Sequence, residues 1–498
     1  MHKMADVAAR PATGRPSSRA RASLILALSI LIVVPCLWHT HIEAGDLGSH
    51  VYNAWLAQLI GKGQAPGLYV VRQWDNVLVD WALLRAANLL GFLAAEKIVV
   101  SGCVLVFFWG VFAFLSAFAR GPRWLLAPCI AMLTYGYSFN MGFLNYYLSL
   151  GLACCSIALL WRGRALARVL GVAILPLVML AHPLGLAWIA GTGLYLLLWT
   201  KLPSWWKLSV PVVALAVLCA IRGYLAHAAQ FPVDFHREPF YFLNGADQLI
   251  LFGGRYVVLA WAALVFGVFS VAMEIYSRRN DATFWKSLRL PAELYVVAMV
   301  ATALLPENLR PSVTGGWIGL LVSRLTTITA IFGLCFLSCL KPRKVHAIGF
   351  GACALVFFTF LYQDTLVLVH METTAERLVN GLPFGTRVLS TIWAPPGSRV
   401  SFVAHFVDRA CIQRCFSYAN YEPSSGQFRI RVRQGSPVVS ASDDDAEDMQ
   451  AGEYEVQDED LPIVEIYQCD PANLTQLCLR SLVSGEKNGR LGYKPPAD

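Results

Sequence analysis

Residues 40–75 read THIEAGDLGSHVYNAWLAQLIGKGQAPGLYVVRQWD. This stretch follows the first long apolar run, Ser23–Trp38, and is the first loop of the chain. Two carboxylates stand close together in it, Glu43 and Asp46, with His50 one helical turn past Asp46. The next residues place Val51, Trp55, Leu59 and Ile60 at helical spacing on one side. That helix is too short to span a bilayer, and its pattern suits the membrane surface. An acidic residue beside a surface helix is where a membrane enzyme meets a substrate carried by a lipid.

Composition sets the class around this loop. Of 498 residues, 56% are hydrophobic and 14% are charged, against about 25% charged in soluble domains. The apolar residues fall in blocks of membrane-helix length. The expected fold is a polytopic α-helical membrane protein of about 11 spans with a small exported C-terminal β-rich or α+β domain. The spans are expected near 23–39, 97–119, 124–140, 143–161, 168–181, 184–200, 208–227, 255–276, 290–305, 317–340 and 345–362. Residues 76–93 carry Asp80 and Arg85 and are read as a second interfacial or re-entrant helix, since charges make a poor lipid-facing span.

Residues 1–22 are rich in Gly, Pro and Ser, hold Arg10, Arg15, Arg19 and Arg21, and read as a disordered cytoplasmic start. Ile42 is not a small residue at the −3 position of a cleavage site before Gly45, which favours an uncleaved anchor over a signal peptide. Residues 23–370 then form the transmembrane domain, with its outer loop at 40–76, and 371–498 the extracytoplasmic domain. The net charge of +8 is uneven. From Met371 onward the chain has 12 Lys and Arg against 18 Asp and Glu. A basic membrane part and an acidic tail point to different surroundings, and no nucleic-acid motif appears.

The tail alternates in Gln427–Val432 and reads as strand in Arg387–Trp393, Ser398–Val403 and Ile463–Gln468. Its cysteines are Cys411, Cys415, Cys469 and Cys478. In an exported domain they favour two disulfides, with three connectivities open. Their spacings are not those of a zinc site.

An acidic residue just after the first span, followed by surface helices, many spans and an exported tail, resembles the GT-C superfamily. These are integral-membrane glycosyltransferases that use polyprenyl-phosphate sugars, such as protein O-mannosyltransferases and aminoarabinose transferases. The residues that carry the resemblance are Gly45-Asp46, His50 and Tyr52-Asn53-Ala54-Trp55. Many members hold a second acidic residue in the next outer turn, where this chain has Asn145. The resemblance implies a lipid-linked sugar donor and a site among membrane lipids in a bacterial inner membrane, with the N-terminus cytoplasmic and the tail periplasmic. No cofactor is required by it, and a divalent cation stays open.

In that chemistry a carboxylate takes the proton of the attacking hydroxyl, and cations stabilise the departing phosphate. Asp46 is the candidate base and His50 its partner. Glu43, Asn145, His182, Arg237, Arg310 and Arg324 are the candidate substrate contacts. Arg324 lies inside a span, where an arginine is costly and faces a cavity. Bland readings stand beside these: Asp46 as a helix cap, His50 as a structural interface residue, His182 as a turn residue. A transporter or flippase for a lipid-linked or anionic molecule, and an assembly protein, are the alternative functions.

Overall fold

The computed structural model describes residues 18–237, 241–310, 318–340, 343–395, 397–470, 473 and 475–489. Most of the basic start, residues 1–17, lies outside the described residues.

Nine helices among the described residues are long and apolar enough to cross a membrane. In chain order, α1 (Ser18–Leu37) enters the loop of residues 40–75. There α2 (Leu47–Gly61), the short strand β1 (Leu68–Val70) and α3 (Leu78–Leu90) follow. The helices α4 (Phe92–Ala119) and α7 (Leu144–Arg162) are parallel neighbours, with Phe107 beside Tyr147 near one end and Phe118 beside Trp161 near the other. They approach so closely that a Cβ on Gly110 would stand 2.2 Å from the Gly151 carbonyl. The pass expected at 124–140 is broken into α5 (Ala127–Thr134) and α6 (Tyr137–Asn140), and that at 168–181 into α8 (Ala165–Ala173) and α9 (Leu175–Ala181). Gly136 interrupts the first. Pro176 opens α9 in the second, where it lacks the N–H that a continuous helix would use. Both broken segments still run from the Arg162 end of the bundle to the Asp46 end. Arg162 bonds Ala117 at one end, while Val77 bonds Leu180 and the chain at Asp46 bonds Met141 at the other.

The remaining long helices are α10 (Pro183–Lys201), α11 (Ser209–His227), α12 (Gly253–Arg278), α13 (Ala282–Leu304), α14 (Leu321–Ser338) and α15 (Lys344–Val379). Two short strands, β2 (Val233–Asp234) and β3 (Asn308–Leu309), pair between the loops that precede α12 and α14. Leu194, Leu197, Val212, Val265 and Leu355 are exposed on these helices, as lipid-facing residues would be. The multi-pass membrane class follows from these lengths and this exposed apolar surface. The 13 residues of α3 fall short of a span.

Past α15 the chain is α+β. Strands β4 (Arg387–Thr391), β5 (Phe416–Ser417), β7 (Ile463–Gln468) and β8 (Leu477–Ser481) make a four-stranded mixed sheet in the order β5-β4-β7-β8. Short helices α16 (Phe406–Ala410), α17 (Tyr421–Ser425) and α18 (Asp443–Ala451) surround it, and β6 (Ile430–Val432) pairs antiparallel with β1. Disulfides join Cys411 to Cys415 and Cys469 to Cys478.

Three expectations change. Residues 398–403 form no strand beyond one bridge from Ser398 to Phe252. Their apolar side chains go into the bundle core instead, where Phe402 stacks on Phe252 with ring centres 4.6 Å apart. The composition break at 371 falls inside α15, which runs on to Val379. Finally, α2 does not lie on a surface with one face free: residues 47–56 are all buried. Tyr52, Trp55, Leu56 and Leu59 share a core with Val388, Val438 and Ile466 of the tail. The first loop is therefore clamped between the bundle and the C-terminal sheet.

Candidate functional site

The turn at residues 140–142 fixes the position of Asp46. Gly45 N–H donates to Asn140 O at 2.7 Å and Asp46 N–H to Met141 O at 3.1 Å. Gly142 has φ +78°, and a Cβ there would stand 2.4 Å from the Asp46 nitrogen, so only glycine lets the two chains meet. Asp46 occupies the cap position of α2, but its side chain makes no capping bond. In the run 42–56 it is the one residue that is not buried, and 29% of its side chain is exposed. The helix does not use this carboxylate.

Facing it is a residue from the tail. His405 Nε2 stands 3.8 Å from Asp46 Oδ1, and its Nδ1 is 2.7 Å from Asp408 Oδ2. Ser417 Oγ donates to the other Asp408 oxygen. Burial opposes charge on His405, but Asp408 and then Asp46 outweigh it and hold the imidazole above its ordinary range. The Tyr421 ring packs at 5.4 Å from that of His405, and burial first, then Asp46, keeps its hydroxyl protonated. Arg324, at the start of α14, lies within electrostatic reach of both Asp46 and Tyr421. Its guanidinium stacks on Phe143 at 4.4 Å and donates through Nη1 to Gly319 O, while Nε is buried without a partner.

His50 points elsewhere. It was expected to orient Asp46, but its Nδ1 lies 2.8 Å from Asp80 and 4.0 Å from Glu422. Asn145 holds that Asp80 through Nδ2 at 3.0 Å and accepts from Val79 N–H. Asn145 thus braces α7 against α3. Ser49 donates to Glu422, and Asn53 bonds both Ser49 and Asn420. Residues 46, 49, 50 and 53 therefore form one polar stripe at helical spacing, its side chains at 49, 50 and 53 satisfied by α3 and the tail.

These buried charges predict a pH dependence. Burial opposes charge on His50, but Asp80, then Glu422 and Asp46, raise it to about 10. Burial raises Glu422 to about 7 against the pull of His50. Both folded values lie above the unfolded ones. The Glu422 contribution to stability is therefore complete below its unfolded value and lost as pH rises through about 7, and that of His50 is lost between about 6.5 and 10. His41, at about 10, has the same sign. The thermal midpoint in detergent should fall between pH 7 and 10. His50→Gln should reduce that slope and His41→Gln/His50→Gln should flatten it further. An unaltered slope in the double variant would assign the effect to other groups.

The other expected contacts are spread out. Glu43 is not beside the open side of Asp46: only 1% of its side chain is exposed, and it pairs with Arg409 at 3.3 Å. His182 caps α10, its Nδ1 accepting from Leu184 N–H at 3.2 Å. Burial and then Arg324 push it down to about 3, so it is neutral. Its ring packs on Tyr146, whose hydroxyl donates to Arg324 O, so it supports Arg324 from behind. Arg237 closes the end of α13 by donating to Ala303 O and Leu305 O. Arg310 is exposed beside β3, where its charge acts on Asp443.

Sequence reasoning missed Asp80, His405, Asp408, Tyr421 and Glu422 as neighbours of Asp46. Asp80 carried a signal, a carboxylate in an apolar helix, and so did the polar stripe of α2. The tail residues carried none, because each meets the site across more than 300 residues of chain. Among the described residues no group of three or more His, Cys, Asp or Glu is arranged to hold a metal.

Cavities of about 340, 410 and 550 Å³ lie elsewhere, and Asp46 opens onto the surface rather than into any of these. No family model and no curated protein matches the chain. Among solved structures it is similar to the crystal structure of ArnT from Cupriavidus metallidurans in the apo state. The identity is 13% over 91% of this chain and 93% of that one, with a TM-score of 0.38.

Proposed function

We propose that this protein is a membrane glycosyltransferase that moves a sugar from a polyprenyl-phosphate carrier to an acceptor hydroxyl, with Asp46 as general base. The observation that carries this reading is a carboxylate at the head of a membrane bundle, free of any capping bond and open to solvent, with His405 and Arg324 around it.

The acceptor oxygen attacks the anomeric carbon, the bond from that carbon to the phosphate oxygen breaks, and the carrier phosphate leaves with the electron pair. The acceptor proton goes to Asp46. Arg324 offers the leaving phosphate the positive charge of a guanidinium within electrostatic reach of Asp46. His405, held by Asp408, supplies positive charge next to the base. The Asp46 end would face the periplasm of a bacterial inner membrane, since Arg120, Arg123, Arg162 and Arg278 gather at the other end.

The test is the release of free polyprenyl phosphate from labelled donor by the purified protein in proteoliposomes. Arg324→Gln should lower kcat/KM by about 10²- to 10³-fold, and Arg324→Lys should recover part of it. Carrier that crosses the membrane with its sugar still attached would replace this reading with a transporter.

A further inference from the structure

At the end of the bundle opposite Asp46 lies a cavity of about 550 Å³. Four long helices supply its walls: the end of α4, the ends of α7 and α10, and the first turns of α13, with Arg278 from α12. Arg120, Arg123, Arg162, Arg278 and Lys286 line it, and no Asp or Glu does.

The carboxylates nearby are already engaged. Glu274 and Asp281 take Arg278 at 3.6 and 2.9 Å. Glu293 takes Arg289 at 2.6 Å and accepts from Tyr195 and Trp199. Arg123 spends its donors on Ser338 O and Ala119 O. Among the described residues, Arg120, Arg162 and Lys286 have no carboxylate within ion-pair distance, and all three are exposed. A preference for basic loops on one side of a membrane explains their number. It does not explain why residues from separate helices converge on one concavity.

The surroundings identify the occupant. Trp161 and Trp199 stand in the wall, each under a cation: Arg162 at 4.1 Å and Lys207 at 4.2 Å. Trp205 and Trp206 are exposed just beyond α10. Such a belt marks the depth of lipid head groups. Leu194, Leu197 and Leu198 are exposed on the same last turns of α10 and offer a path for acyl chains.

We infer that this cavity binds the phosphate of an anionic phospholipid, the head group among the cations and the chains along α10. The inference does not depend on the role of Asp46. A free phosphate shares the head-group chemistry but makes no use of the apolar path.

The experiment is native mass spectrometry of the delipidated full chain with phosphatidylglycerol, phosphatidylcholine or inorganic phosphate added. The wild type should retain phosphatidylglycerol in preference to phosphatidylcholine. Arg120→Gln/Arg162→Gln/Lys286→Gln should weaken phosphatidylglycerol retention roughly 100-fold, from the combined loss of three cations near the membrane surface, with phosphatidylcholine retention unchanged. The single variant Lys286→Gln, at an exposed position, should show a smaller loss and guards against a folding defect in the triple variant. Undiminished retention in the triple variant would overturn the site. Displacement of the lipid by millimolar phosphate would overturn the lipid as occupant in favour of a soluble anion.

Discussion

Asp46→Asn is expected to abolish sugar transfer while the protein still inserts and folds. The amide keeps the shape of the carboxylate but cannot accept the acceptor's proton. A positioned general base contributes about 10²- to 10⁴-fold, so kcat should fall about 10³-fold. The folding side is unusually clean. The carboxylate makes no capping bond, and its nearest charged partner is His405 at 3.8 Å. The backbone bonds of residues 45 and 46 to the 140–142 turn do not involve the side chain. A thermal midpoint within a few degrees of wild type should therefore accompany the lost rate. The checks are kcat from initial rates of carrier-phosphate release and the midpoint of the same preparation. Activity within tenfold of wild type would move the base elsewhere. Glu422, raised to about 7 and buried behind the α2 stripe, would be the next candidate. His405 is a positioning residue in this scheme, so His405→Gln should cost less than Asp46→Asn and shift the pH profile of kcat as the cation beside the base is lost.

The bundle was legible because lipid imposes a length on every pass. Apolar blocks near 20 residues mark spans whatever their partners are. For this reason nine of the expected spans correspond to continuous helices. The two broken ones differ at Gly136 and Pro176, whose local effects do not remove an apolar run. Asp46 was legible for a similar reason, as an acid at the edge of a span. What surrounds it was not. The apolar side of α2 can be read as a surface helix or as a core helix, because periodicity shows that one face is buried and not what buries it. Here the tail does so, and the side chains at 49, 50 and 53 are satisfied by Asp80, Glu422 and Asn420. The acidic composition of the tail suggested a separate domain in separate surroundings. Three of its residues, His405 with Asp408 behind it and Arg409, instead complete the first loop. Pairings at such separation follow from the folded topology and leave no trace in local spacing.

Arg409→Met is expected to undock the tail from the bundle, with the largest loss of stability of any single substitution considered. Only 5% of the Arg409 side chain is exposed. It binds Glu372 of α15, Glu96 of α4 at 3.3 Å and Glu43 of the first loop at 3.3 Å, and donates to Ile42 O at 3.0 Å. One side chain thus ties the tail to three parts of the chain. His41 adds a second cation, 2.9 Å from Glu376 and 3.9 Å from Glu96. Burial first and then Glu372 push Glu43 well above the ordinary carboxylate range. Without Arg409, Glu96 and Glu372 would face each other in a buried site with His41 alone to offset them. Breaking a buried pair by removing one partner costs about 3–5 kcal/mol. The effect here should reach the upper end, because one cation serves several acids. Limited proteolysis in detergent should cut the chain between α15 and β4 in the variant and spare the wild type. Arg409→Met/Glu372→Gln should recover part of the protection, because the penalty comes from the uncompensated carboxylate rather than from the lost bonds. Asp46 activity should fall with the undocking, since His405 sits four residues before Arg409 on the same segment. A single variant that resists protease as well as wild type would show that the tail is held by its apolar contacts with α2 alone.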